Sequence, residues 1–183
     1  MAMLEDKVLL WRLRRGSTRA LSYIYSKYEN DLLSLAVSLL GRADRAEDVL
    51  QDVFTRFIET LDAFELTGSL KGYLAKCVAN RSRDILRRDR HRVGAPLETA
   101  SHVESRQDDP LQRAINDEES HKLREALQQL PREQQEAVLL HLQVGLKFRD
   151  VADVQGVSAK TTESRYRYGI SRLRSMLNGQ VEP

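Results

Sequence analysis

Residues that could do chemistry gather in two basic stretches. Residues 71–92 hold eight Lys/Arg against two Asp/Glu, mostly as Arg81, Arg83, Arg87, Arg88, Arg90 and Arg92. Phe64 and Tyr73 stand just upstream or at the start of this track. Cations neutralise phosphates, and rings stack on bases that have left the duplex. The same composition also fits a core Phe and Tyr beside a helix end whose cations complement the dipole. The second stretch, residues 160–174, holds five Lys/Arg against one Asp/Glu. Helical spacing turns Thr162, Tyr166, Ile170 and Leu173 inward and leaves Lys160, Thr161, Ser164, Arg165, Arg167 and Tyr168 on other faces. Outer donors over an apolar anchor are what a helix needs to enter the major groove. A solvated surface helix has that composition too.

A third group has the opposite character. Glu47, Asp48, Gln51, Asp52 and Arg56 flank an apolar stripe. An acidic face repels DNA, so it is either solvated or meets a protein. The four histidines, His91, His102, His121 and His141, lack metal-ligand spacing, and no phosphate-loop or nucleophile-elbow pattern occurs. No catalytic residue, metal site or cofactor is therefore assigned. Tyr166 and Tyr168 read as core or phosphate contacts, not nucleophiles. Cys77 lies among Leu74, Val78 and Ala79 and reads as a small buried hydrophobe. Trp11 is either core or an exposed contact.

These residues must be positioned by helices, because no strand pattern occurs. An amphipathic stretch over 5–15 ends at Gly16. Ser17 can cap a second helix bearing Leu21, Ile24, Tyr25, Tyr28, Leu32, Leu35, Ala36 and Leu39, which Gly41 stops. A third carries Ala46, Val49, Leu50, Val53, Phe54, Phe57, Ile58 and Leu61 inward. A loop over 62–68 leads to a fourth helix from about Ser69 to Asp89. Four helices with short loops make a bundle. Later, a helix ends at Pro131, and another with Ala137, Val138, Leu140 and Leu142 stops at Gly145. A short helix to Gln155, a turn at Gly156 with Val157 as plug, and a longer basic helix form a helix-turn-helix pattern.

The 183 residues carry a net charge of +2, unevenly spread. Residues 1–95 hold 17 Lys/Arg against 13 Asp/Glu, residues 96–120 hold 2 against 7, and residues 121–183 hold 10 against 7. Two basic modules flanking an acidic tether are implied: 1–92, a flexible linker over 93–112, and 113–180. Only 9 Gly and 4 Pro argue against a turn-rich β sandwich. One cysteine excludes an internal disulfide and points to a reducing cytoplasm. No membrane span and no signal peptide are expected.

Together the segments resemble an extracytoplasmic-function (group 4) sigma factor of the bacterial sigma-70 family. Asp6-Lys7-Val8-Leu9-Leu10 with Gly16, Ala20, Tyr25 and Tyr28 is similar to region 2.1, and Ala46-Glu47-Asp48-Val49-Leu50-Gln51-Asp52-Val53-Phe54 to region 2.2. Leu61-Asp62-Ala63-Phe64, Tyr73-Leu74, Ala79-Asn80 and Asp84-Ile85-Leu86-Arg87-Arg88 resemble regions 2.3 and 2.4. Leu130-Pro131, Thr161, Ser164-Arg165 and Arg172-Leu173 resemble region 4. The likeness implies an all-α protein of two helical domains, a region 2 four-helix bundle and a region 4 helix-turn-helix, joined by the flexible acidic linker.

It also implies a sigma factor, not an enzyme, that binds core RNA polymerase and directs it to promoters. Asp48, Gln51 and Asp52 match the face that docks on the β′ clamp helices. Asp62, Phe64, Tyr73, Lys76, Asn80, Arg83, Arg87 and Arg88 match the reader of the −10 element. Lys160, Thr161, Ser164, Arg165 and Arg167 match the reader of the −35 element, in a domain that also contacts the β flap. An anti-sigma factor is the expected regulator. A conventional helix-turn-helix regulator explains residues 146–177 but leaves the aromatic and basic residues of 62–92 unused. Tyr73 stands where Trp is common, Leu70 where an aromatic is frequent, Glu163 where a base is frequent and Gln155 where an apolar residue is usual. Glu65 and Leu66 also depart from the usual loop residues. These differences bear on promoter sequence.

Overall fold

The computed structural model describes residues 2–92 and 110–179, and these residues contain helices and no strand. Their contacts divide the chain into two compact units. The first contains α1 (Ala2–Arg14), α2 (Thr18–Leu40), α3 (Ala43–Glu59), a 3₁₀ turn (Leu61–Ala63) and α4 (Leu70–Arg92). The second contains α5 (Pro110–Gln129), α6 (Arg132–Val138) running into a π turn (Leu139–Gln143), α7 (Phe148–Gln155) and α8 (Ala159–Leu177). The linker expected over 93–112 falls outside the described residues up to 109. α5 begins at Pro110. Proline is tolerated in a first helical turn, where its missing N–H has no partner to lose.

In the first unit the apolar spacing of α2, α3 and α4 closes one core. Ile24, Leu32, Leu35, Val49, Phe57, Leu70, Leu74 and Val78 are almost fully buried. Removing such side chains from water is the main stabilising term, at about 1.5–3 kcal/mol each. Ser17 accepts the Ala20 N–H at 3.3 Å, starting α2 where its hydroxyl suggested. α1 is pinned to α2 by charge. Asp6 is buried, accepts the Tyr28 hydroxyl at 2.6 Å and pairs with Lys27 at 3.0 Å. Burial, then the bond to Asp6, pushes the Tyr28 pKa up to about 12. Ile58 is the exception in α3: it lies off the inward stripe and is exposed.

In the second unit α8 packs across α6 and α7. Gly169 lets the helices approach closely. A Cβ there would stand 2.8 Å from the Val138 side chain and 3.3 Å from the Gln134 carbonyl. Gly156 ends α7 at φ +67, the left-handed geometry that glycine adopts without a Cβ penalty. Leu142, expected inward, is exposed. The π turn adds a residue per turn over Leu139–Gln143, so regular 3.6-residue spacing no longer predicts which side faces in.

Candidate nucleic-acid interface

The loop between α3 and α4 is held from both ends. Leu61 is buried, and Ser69 accepts the Gly72 N–H at 3.0 Å at the start of α4. From α1, Arg14 donates Nε to the Leu61 carbonyl at 3.3 Å and a second guanidinium N–H to the Phe64 carbonyl. Phe64 therefore has a fixed seat. Its ring lies 4.4 Å from that of Tyr73 and 5.5 Å, edge on, from that of Phe57. Both Phe64 and Tyr73 remain half-buried. Burial, and then Cys77, raises the Tyr73 pKa, while burial raises that of the Cys77 thiol. That is the reverse of a reactive thiolate.

Tyr73, Lys76, Asn80, Arg83 and Arg87 follow at alternating steps of three and four, so they form one row along α4. Lys76, Asn80, Arg83, Arg87 and Arg88 are exposed. Arg83 donates to the Asn80 amide oxygen at 3.3 Å. Most of the sequence-predicted set thus shares one face of α4, while Arg88 lies beside that row and Asp62 is exposed on the turn ahead of it. Arg81, equally basic in sequence, points away and donates Nε to Asp52 at 2.8 Å. A ring pair continuous with a cation row can stack a base while holding its backbone.

The same pairing separates the acidic residues of α3. Asp48 and Gln51 are exposed, while Asp52 is tied to α4 through Arg81. Gln51 lines a different feature, a groove of about 710 Å³ between α2 and α3 with Tyr25, Leu50, Phe54 and Ile58. Sequence reasoning missed Tyr25 and Ile58 as surface residues. The available signal was that Ile58 shares a helical row with the polar Glu47 and Gln51, at the border of the inward stripe.

On α8, Ser158 accepts the Thr161 N–H at 3.1 Å and its hydroxyl lies 2.9 Å from that of Thr161. Ser164 donates to the Lys160 carbonyl at 3.0 Å. The predicted residues occupy two rows. Thr161, Ser164 and Arg165 share one with Tyr168 and Arg172, both exposed. Lys160 and Arg167 share the other with Glu163, Ser171 and Arg174 and line a second groove. Arg165 is half-buried and donates to the Gln155 side-chain oxygen at 2.9 Å. Gln155 in turn donates to the Glu133 carbonyl at 2.8 Å. Its departure from an apolar residue thus gives Arg165 a bracket, which the sequence reading did not foresee. Tyr166 turns inward as expected, edge on to His141 and Phe148.

No group of His, Cys, Asp and Glu among the described residues could hold a metal ion, and no described helix is long and apolar enough to cross a membrane. The sequence matches the Sigma-70 region 2 family over residues 24–92 and the Sigma-70, region 4 family over residues 120–173. The ECF RNA polymerase sigma factor EcfG of Rhodopseudomonas palustris is 31% identical over 146 residues, which cover 80% of this chain and 78% of that protein. The RNA polymerase sigma-H factor of Pseudomonas aeruginosa is 26% identical, covering 98% and 95% of the two chains. The solved sigma factor RpoE, in complex with the anti-sigma factor NepR from Bartonella quintana, is similar at a TM-score of 0.71 and 26% identity, covering 86% of this chain and 96% of that one. CnrH, solved in complex with the cytosolic domain of CnrY, shares the fold at a TM-score of 0.72 and 22% identity over 96% of this chain and 99% of that one. The chain belongs to the extracytoplasmic-function group of the sigma-70 family and is an alternative RNA polymerase sigma factor that directs transcription initiation.

Proposed function

We propose that the two units divide promoter recognition, the first taking the −10 element apart and the second reading the −35 element as duplex. The observation that carries this reading is the seat of Phe64 against Tyr73 at 4.4 Å, at the head of the exposed row Lys76, Asn80, Arg83 and Arg87. An extruded base stacks on the ring pair, and the cations hold the unpaired strand. Asp62 and Arg88 border this surface. α8 carries donors suited to base edges and phosphates, with Arg165 aimed by Gln155. Thr161 and Ser164 share its row, and Lys160 and Arg167 meet phosphates alongside.

Core RNA polymerase and promoter DNA are the partners this reading requires. Asp48 and Gln51 on α3 dock on the β′ clamp helices, and the α2–α3 groove beside Gln51 supplies an apolar floor for that contact. Asp52 acts from behind, through Arg81. The second unit contacts the β flap. A partner that masks both units, as an anti-sigma factor, fits the company in which RpoE was solved. The deciding experiment mixes the full chain with bare bacterial core polymerase on a genomic fragment library. Discrete run-off transcripts that depend on the chain are expected; the absence of any cognate start would defeat the reading.

A further inference from the structure

We propose that the outer edge of α1 is a second single-strand DNA site, in which Trp11 stacks a base next to the one taken at Phe64 while Lys7 and Arg15 hold the adjoining phosphates. The inference rests on the −10 reading above and extends it to a part of the molecule that reading leaves unused. Asp6, Leu9, Leu10 and Leu13 fill the inward side of α1. Lys7, Trp11, Arg14 and Arg15 follow at i, i+4, i+7 and i+8, so they form one outward row. Trp11 is 56% exposed, and the Arg15 guanidinium lies 4.6 Å from its ring centre. An indole is a large area to leave in water, and an aromatic face paired with a cation is the unit that binds unpaired bases without regard to sequence.

Position supplies the second half of the argument. Arg14, in that same row, grips the Leu61 and Phe64 carbonyls. Trp11 lies three residues earlier, about 5 Å along the helix axis. The row that carries Trp11 thus includes the residue that holds the Phe64 loop, and the proposal has a strand leaving the Phe64 seat pass along it. The acids of α1 itself do not oppose it: Glu5 and Asp6 are both engaged by Lys27 on the α2 side of the helix, and the exposed acids on the loop that Arg14 holds are Asp62 and Glu65. The exposed apolar residues Leu4, Val8 and Tyr23 also lie toward α2, around a separate groove that does not include Trp11.

The test uses the full chain bound to core polymerase and a promoter fragment with an unpaired −10 segment. Trp11→Ala is expected to weaken binding about ten-fold, the lower part of the range for one stacked base, and Trp11→Phe to restore most of it. The loss should vanish when the nucleotides flanking the captured base are kept paired. A 2-aminopurine probe scanned along the unpaired strand should lose its quenching at flanking positions in Trp11→Ala. Phe64→Ala separates the two readings. If Phe64→Ala weakens binding while Trp11→Ala matches the parent protein, this inference is wrong and the −10 reading stands. If Trp11→Ala acts while Phe64→Ala is silent, the α1 site stands and the base seat does not. Weaker affinity of Trp11→Ala for core polymerase without DNA would assign the indole to a protein contact and overturn the proposal.

Discussion

α4 and α8 are both basic, yet on the proposed reading they meet different forms of DNA. Around α4 the chemistry is aromatic: Phe64, Tyr73 and Phe57 touch one another, and a row of cations runs away from them. On the proposed reading, these rings serve a base that has left its stack. Around α8 the exposed rows contain hydroxyls, guanidinium groups and one exposed tyrosine, while Tyr166 and Phe148 are packed around His141. The two sites also hold their key residue differently. Phe64 is held through its backbone, by Arg14, while its ring packs against other rings. Arg165 is fixed through its side chain, by Gln155, which sets the direction of its donors. The proposed division, a base admitted at the first site and read at the second, accords with these points of attachment.

The largest effect that can break this contrast is charge reversal at the aimed donor. Arg165→Glu places a carboxylate where duplex phosphates and base edges must approach, and it removes the bond to Gln155. The expected cost is about 3 kcal/mol, or roughly 100-fold in transcription that depends on the −35 element. Core binding should be unchanged, as measured by pull-down. Arg165→Lys keeps the charge but loses the forked donor geometry, so it should recover only part of the activity. Equal transcription by Arg165→Glu on a matched promoter would remove α8 from sequence reading.

At the other site the decisive change is Phe64→Ala. Stacking of one base is worth about 1–3 kcal/mol. Open-complex formation, followed by permanganate reactivity of the unpaired strand, should therefore fall about ten-fold or more. Binding to a fully paired −35 fragment should not change. If duplex binding fell in parallel, Phe64 would be a structural ring of the Phe57–Tyr73 cluster and the two sites would not differ in the way described.

Much of this contrast could be read along the chain, for a physical reason. Helices declare themselves by local spacing, so the inward faces of α2, α3 and α4 and the turn at Gly156 follow from residues close in sequence. Basic tracks and their aromatics are equally local. What stayed hidden depends on distant pairs. Arg14 meets Leu61 and Phe64 across 47 and 50 residues, and Asp52 meets Arg81 across 29. No spacing rule connects such positions, so Asp52 read as an equal of Asp48 although its carboxylate is engaged within the fold. Leu142 misled because a π turn breaks the period by which it was judged. Gln155 was visible as an odd residue, but its use required Glu133 and Arg165 to be seen beside it.

The smallest expected effect tests the cations rather than the rings. Lys76 in the α4 row and Lys160 at the start of α8 are both exposed, and both are assigned to phosphates. A phosphate contact adds affinity without choosing a base, and its loss reduces the salt dependence of binding by about one counterion. Single strands release fewer counterions per charge than duplex, with slopes of about −0.7 against −0.9 per phosphate. Lys76→Gln should therefore flatten the salt plot on a pre-melted −10 fragment by about 0.7, and leave a paired −35 fragment unaffected. Lys160→Gln should flatten the plot on the −35 duplex by about 0.9 and be silent on the unpaired strand. Slopes that moved together on both fragments would mean that the two units share one DNA track, and the division between melting and reading would have to be redrawn.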